Sequence, residues 1–502
     1  MHKGGLVRKL AFTGSVAALA LSSAPASADT LQEALTEAYV NNPTLEAARA
    51  NQRATDENVP IERSFGLPSV TGDVAFTEFL KQNSTNFFTP DRALTGGVDL
   101  GVPLYSGGAV KNSVRAAEER VQAGRADLRG TESAIFTRVV AAYMDVLRGQ
   151  ALTALSANQV DVLSVNLQAT SDRFEIGDLT RTDVAQSESR LAVAQGDLRS
   201  AQANLIAARE DYIALVGEAP TNLQPPPPLP GLPGDVEMAV DVALENNPDL
   251  IAARERAQAS GYDIEVAGSG RLPRLSLFAG YDYQNFLGSV ADAPADPNDP
   301  TGPTIASDQT ATAASAGVSL RIPIFQGGLP AARQRQAQAR ASAALENVIA
   351  AERDVIAQVR SAYSSWQASL AIIESSQSAV SAAELSLEGV RAENSIGNRT
   401  ILDVLNAEQE LLSARVQLVT ARRNAYVAGF SLLAAMGRAE ARDLGLGDEG
   451  VLYDPIDNYE RVRGSIWDWD RDPAPQATTS STTDIPAATA DIPEIEDTDD
   501  TP

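Results

Sequence analysis

Two short segments place a hydroxyl three residues before a carboxylate: Thr180 with Asp183, and Thr400 with Asp403. A threonine so placed accepts a hydrogen bond from the N–H of the acid, while the acid accepts from the threonine N–H. Together they start a helix. Gly177 and Gly397 stand three residues earlier and suit a left-handed turn. Exposed carboxylates also attract cations, so capping and an electrostatic role are compatible, and both readings stand open on the residues alone. Other chemistry is scarce. Among 502 residues there is no Cys and one His, which removes thiol nucleophiles, disulfides, Cys/His zinc sites and imidazole catalysis. An enzyme would have to use carboxylates, Lys, Ser, Thr or Tyr, and no acid pair is marked out as a glycoside hydrolase requires. We expect no catalytic residue, metal or cofactor. With 40 Lys and Arg against 66 Asp and Glu, the formal charge is −26, which opposes nucleic-acid binding.

The elements that must position these tips begin after residue 28. Lys3, Arg8 and Lys9 precede an apolar run from Leu10 to Leu21, and Ala26-Ser27-Ala28 comes next. Residues 1–28 therefore read as a secretory signal peptide cleaved near Ala28, and it contains the sole histidine, His2. No later stretch approaches the roughly 18 apolar residues of a transmembrane helix. The rest is duplicated. Asn41-Asn42-Pro43-x-Leu45-x-Ala47-Ala48-Arg49 returns as Asn246-Asn247-Pro248-x-Leu250-x-Ala252-Ala253-Arg254. Gly97-Val98-x-Leu100-x-x-Pro103-x-x-x-Gly107-Gly108 returns as Gly317-Val318-x-Leu320-x-x-Pro323-x-x-x-Gly327-Gly328. The offset grows from 205 to 220 between these motifs, so the second copy holds a 15-residue insertion, rich in Asp and Pro around Ala291 to Pro303. The repeats cover 29–217 and 236–437, and the linker 218–235 contains Pro225 to Pro228, a stiff polyproline run.

Within each copy the apolar period changes twice. Residues 31–64 and 236–270 read as leading helices. Val70, Gly72, Val74 and Phe76 then alternate with polar residues, as do Leu94 to Leu104, Leu275 to Tyr283 and Ala316 to Ile324. That period of two predicts one β-hairpin per copy, over 67–106 and 272–326. Long helical hairpins follow over 108–216 and 328–436. Their outgoing arms would run about 100 Å. Val184, Leu191, Leu198, Leu205 and Tyr212 repeat every seven residues, and so do Val404, Leu411, Leu418, Ala425 and Leu432, which predicts coiled-coil packing. Leading and returning helices laid end to end match the outgoing arm, so each copy predicts one continuous and one broken rod. Four strands cannot close a barrel, and exposed edges are unstable, which predicts oligomerisation. Three chains would give twelve strands and twelve rods; two would give eight strands and almost no lumen. Residues 438–472, with Trp467 and Trp469, are expected to pack around the middle of the tube. The tail 473–502 has acids and prolines but no base, and is expected to be disordered.

The tips Phe174-Glu175-Ile176-Gly177-Asp178-Leu179-Thr180-Arg181-Thr182-Asp183-Val184 and Ser395-Ile396-Gly397-Asn398-Arg399-Thr400-Ile401-Leu402-Asp403-Val404-Leu405-Asn406 resemble those of the TolC family of outer-membrane efflux channels. The likeness covers about residues 30–440, with the Asn-Asn-Pro entry, the Pro-x-x-x-Gly-Gly strand exit and the duplication. It implies a mostly helical α+β trimer, with a 12-stranded β-barrel in the outer membrane continued by a 12-helix periplasmic coiled-coil tube. It also implies a periplasmic adaptor and an inner-membrane pump of the RND or ABC type as partners, in multidrug efflux or type I protein secretion. By resemblance, Asp403 matches the first of two acidic positions ringing the periplasmic constriction, and Asn406 occupies the second. Thr182, Asp183 and Arg399 match residues that tie neighbouring helices shut, while Asn394 stands where the family can have a Tyr partner. The exposed turns at Gly177, Leu179, Gly397 and Arg399 are the expected adaptor-docking residues, with Thr180 and Thr400 as helix caps.

Two other classes share some features. A surface coiled-coil fibre or adhesin would need the signal peptide and heptads but not duplicated lipid-type strands. A carboxylate-based hydrolase would need a concave pocket with paired acids.

Overall fold

The computed structural model describes residues 29–81, 89–295, 301–446 and 452–491. The expected signal peptide, the centre of the insertion at 296–300 and the tail beyond Asp491 lie outside the described residues. The first repeat runs α1 (Leu31–Asn41), α2 (Pro43–Asp56), α3 (Asn58–Ser64), β1 (Ser69–Glu78), β2 (Arg92–Tyr105), α4 (Ala109–Glu175) and α5 (Arg181–Val216). The second runs α6 (Val236–Asn246), α7 (Pro248–Gly268), β3 (Arg274–Asn285), β4 (Ala293–Pro294), β5 (Thr304–Ile305), β6 (Thr310–Arg321), α8 (Leu329–Ser395) and α9 (Ile401–Ala435); α10 (Pro455–Val462) comes last.

The leading helices are not continuous as the sequence suggests. Pro43 and Pro248 favour an extended preceding residue, and Asn42 and Asn247 are extended there. Asn42 accepts from the N–H groups of Thr44 and Leu45, and its amide donates to the Leu215 carbonyl at 2.9 Å. Asn247 repeats this arrangement, donating to the Ala435 carbonyl at 3.0 Å. Each asparagine thus caps one helix and satisfies a free carbonyl at the end of another. The broken rods are stitched at these joints. A further break divides α2 from α3 just before Pro60.

The outgoing helices α4 and α8 each have 67 residues. Both start after a glycine at φ 82°, which only glycine adopts readily. The main core forms where α4 meets α1, α5 and the end of α9, around Phe136, Tyr143, Leu205, Tyr212 and Phe430. Each such side chain stabilises the fold by about 1.5–3 kcal/mol. The Tyr143 hydroxyl reaches the Gln224 carbonyl at 2.6 Å and so fixes the linker to the rod. On α9 every heptad residue from Val404 to Leu432 is buried, with Val404, Leu411 and Leu418 packed on Val380, Ala383 and Leu387 of α8. On α5 only Leu205 and Tyr212 of the corresponding heptad are buried.

The two hairpins join into one antiparallel sheet in the order β1-β2-β3-β6. Register aligns Val70 with Leu100, Val98 with Tyr281, and Leu277 with Val318, making one face apolar across all four strands. The other face carries Asp73, Gly97 and Asp282 in one row and Asp99 with Gly280 in the next. β6 ends at Arg321, short of the expected Ile322 and Ile324, because Pro323 has no N–H for the ladder. In the insertion β4 pairs with β5, extending the loop between β3 and β6.

Two expectations for the C-terminal region need correction. Trp467 and Trp469 are 72% and 75% exposed and lie beside Leu67 to Val70, at the foot of β1 rather than around the middle of the helices. The chain climbs there because Tyr459 of α10 packs against Val59, Ala117 and Val121, directing the residues after α10 toward the strands. The tail also takes a defined path as far as Asp491. Buried Arg209 of α5 donates to the Thr489 and Asp491 carbonyls, and Ala488 donates its N–H to Glu210 at 2.8 Å. A desolvated guanidinium requires acceptors, and the tail backbone supplies them. Among the described residues, no helix is long and apolar enough to cross a membrane.

Candidate gate at the helical tips

Each tip is built by local chemistry. At the first, Gly177 at φ 81° follows α4, its N–H donating to the Phe174 carbonyl, and Asp178 donates to the Arg173 carbonyl. This pattern satisfies the last carbonyls of the helix. Thr180 then donates its N–H to Asp183 at 2.9 Å, while Asp183 donates its own N–H to the Thr180 hydroxyl at 3.3 Å. The second tip repeats this with Gly397 at φ 81°, Thr400 and Asp403. The Thr180 hydroxyl and N–H hold the Asp183 carboxyl below its ordinary range, and Thr400 does the same for Asp403. Both acids stay charged in neutral water, so each caps its helix and leaves a negative charge exposed at the tip.

The residues matched to a latch are not brought together. Arg399 donates to Glu393 of its own tip at 2.7 Å, Asn394 donates to the Arg399 carbonyl, and Asp183 is engaged by Thr180. Thr182 is exposed. Among the described residues, no hydrogen bond or ion pair joins Arg399 to Thr182 or Asp183. Near the tips the two helical hairpins meet through Arg190 of α5, which donates to the Asn406 side chain of α9 at 3.0 Å. Beside this bond, Leu163 and Ala194 pack on Leu405, with Leu191 and Ile401 at the margin. Asn406 therefore takes part in a bridge between repeats that its place in the sequence did not disclose. Nothing local could have identified Arg190, since its partner is 216 positions away. Glu408, buried, pairs with Arg391 across the second hairpin.

Of the expected docking residues, Leu179 is half-buried, whereas Gly177, Gly397 and Arg399 are exposed. Nothing stands within 4 Å of a Cβ built at either glycine. Ile176 and Ile396 were missed. They are 80% and 71% exposed at the two turns, and the signal available was the Ile-Gly pair present in both copies.

Comparison with known proteins places this architecture. The residue pattern that defines the family described as Outer membrane efflux protein matches 34–218 and 239–438, one match per repeat. The outer membrane efflux protein BepC of Brucella suis biovar 1 is 33% identical over 443 residues, 88% of this chain and 92% of that protein. The outer membrane protein TolC of Vibrio cholerae is 27% identical over 438 residues, covering 85% and 95% of the two chains. The solved structure of CusC, described with its transmembrane channel formation, superposes with a TM-score of 0.70 at 19% identity, over 82% of this chain and 92% of that one.

Proposed function

The chain belongs to the outer membrane efflux protein family, and we propose that three copies of it form a gated export channel reaching from the outer membrane into the periplasm. One observation carries the assembly: a single chain supplies a four-stranded sheet with two open edges, β1 and β6, joined directly to 67-residue helices. Edges of that length demand partners. Pairing β1 of one copy with β6 of the next closes twelve strands around a lumen. The apolar face then meets lipid and the face bearing Asp73, Asp99 and Asp282 meets water, as a membrane barrel requires. α8 supports the same reading through Leu345, Ile349, Leu370 and Leu385, all more than 40% exposed in the isolated chain.

In the trimer, Asp403 and Asn406 would ring the periplasmic constriction, giving three carboxylates that concentrate cations and hold the aperture narrow. Thr182, Asp183 and Arg399 lie at the same level, with Asp183 and Arg399 engaged within their own tips. The turns at Gly177, Leu179, Gly397 and Arg399 would seat a periplasmic adaptor, which links the channel to an inner-membrane pump of the RND or ABC type. The pump selects the cargo, whether small molecules or secreted polypeptides, and the channel conducts it without catalysis. Electron microscopy of the detergent-extracted outer-membrane fraction tests the assembly. A threefold tube with helices about 100 Å long is the expected result; a soluble rod or a compact particle without a lumen would overturn it.

A further inference from the structure

A membrane barrel carries aromatic girdles at both lipid–water interfaces. On the apolar face of this sheet, Phe76 and Tyr283 lie toward the end where β1 turns into β2, with Tyr281 level with Val98 in the middle of β2. At the opposite, helix-proximal end that face presents Val70, Leu277, Val318 and Leu320, and among the described strands only Tyr105 is aromatic there. The girdle at that end is thus thin in the strands themselves, with Phe65 and Phe325 exposed just outside them. Two of the chain's three tryptophans stand beside that end, in the segment after α10.

The segment is held in shape. Arg461 makes a two-point ion pair with Asp472, at 3.0 and 3.1 Å, closing the loop between them. Asp470 donates its N–H to the Trp467 carbonyl at 3.1 Å, turning the chain at Trp467-Asp468-Trp469. Arg63 of α3 donates to the Arg463 carbonyl at 2.9 Å, fastening the loop to the helix that enters β1. The loop borders an open cleft of about 1080 Å³ whose other wall includes Ile61 and Val70. Ile466, Trp467 and Trp469 are 70%, 72% and 75% exposed, and Val70 is 68% exposed. So much indole surface on a fastened turn is not packed within its own chain.

We propose that the Trp467–Trp469 turn is an anchor for the phospholipid surface of the inner leaflet, reinforcing the sparse aromatic girdle at that end of the sheet. The proposal rests on the reading of the apolar sheet face as membrane-facing, with which the turn is continuous through Val70. Indoles favour the headgroup level because the ring is apolar and its N–H is a donor. Charge is compatible with that place. Between Arg461 and Asp472 three arginines balance three aspartates, in a chain whose net charge is −26, so the loop is spared the repulsion that anionic headgroups exert on an acidic surface. A second copy of the chain could cover the same residues, and the experiment separates the two occupants.

The test uses the full-length channel carrying Trp366→Phe, which removes the one tryptophan outside the turn. It is reconstituted into vesicles of phosphatidylethanolamine with a minority of phosphatidylglycerol, with and without bromine on the upper acyl chains. Tryptophan emission should fall about twofold in the brominated vesicles, as an indole at headgroup level requires. A companion channel carrying Trp366→Phe, Trp467→Phe, Trp469→Phe and Tyr281→Trp reports the sheet face itself. Quenching of the companion channel without quenching of the turn would overturn the anchor while leaving the barrel reading intact. Emission indifferent to bromine in both channels would overturn the anchor together with that reading. Shielding of the turn from both bromine and aqueous acrylamide would assign it to a protein neighbour instead, and would overturn the anchor.

Discussion

α4 and α8 have the same length, the same left-handed glycine before them and the same turn after them, yet they live in different surroundings. α4 has 20 buried residues and α8 has seven. Tyr143 and Tyr363 occupy corresponding positions and both hydroxyls reach backbone carbonyls near the linker, at Gln224 and Gly234. Around Tyr143, however, α1, α5 and the segment after α9 converge, whereas α8 keeps a long exposed flank. Duplication preserved the local devices and let the packing diverge. One rod became the spine of the protomer, and the other was left facing outward, where a neighbouring copy can complete it.

The sharpest way to break this contrast is to charge the outward flank. Leu345→Asp with Ile349→Asp, one turn apart on the same side of α8, should abolish trimers while helix content stays unchanged. Size-exclusion with light scattering, paired with circular dichroism, reads both; intact trimers would show that this flank faces water. Next, Phe136→Ala in α4 should destabilise by about 3–5 kcal/mol through the cavity it leaves. Ile356→Ala, at the corresponding place in α8, should cost less than half as much in parallel urea titrations, and equal losses would erase the distinction.

A pH dependence sharpens it further. Burial pushes the Glu132 carboxyl of α4 from 4.5 up to about 7, although the Ala441 N–H donates to it. A carboxyl with a raised folded pKa is neutral in both states below about 4.5 and costs nothing there. Between 4.5 and about 7 the unfolded chain ionises first, so stability falls by about 3 kcal/mol as pH rises through that window. Glu132→Gln should flatten the dependence and raise Tm at pH 8, read by calorimetry, whereas Glu352→Gln at the matching place in α8 is the control. The smallest effect concerns the bridge between the repeats. Asn406→Ala removes the acceptor of Arg190 and should cost about 1 kcal/mol, or roughly a fivefold larger population of parted tips. Single-channel conductance in a planar bilayer should rise; an unchanged conductance would remove the bridge from the gate.

Much of this architecture was legible because it is local. Thr180 and Asp183 are close in sequence, so their mutual capping could be read directly, and the heptads of α9 are buried where the spacing placed them. The pause at Asn42-Pro43 was visible as a repeated motif but was absorbed into one helix, because its role depends on Leu215, far along the chain. The bridge from Arg190 to Asn406 was illegible for the same reason. Within the chain, Glu393 and Thr180 engage Arg399 and Asp183, local partners that the resemblance did not indicate. Trp467 and Trp469 are expected around the middle of the tube, and only the packing of α10 on α2, with Arg63 of α3 holding Arg463, shows where they go.

The difference between a whole rod and a stitched one also has a mechanical side. α4 and α8 are unbroken beams about 100 Å long, whereas their companions are jointed at Asn42 and Asn247, each joint held by a few hydrogen bonds. A beam of that length is a lever with high gain: a tilt of about 3° at the sheet displaces the far tip by about 5 Å. The jointed companions can follow such a swing by yielding at the stitch, while the beams carry it undiminished. A small tilt near the sheet is therefore delivered, magnified, to the helical tips at the opposite end of the molecule.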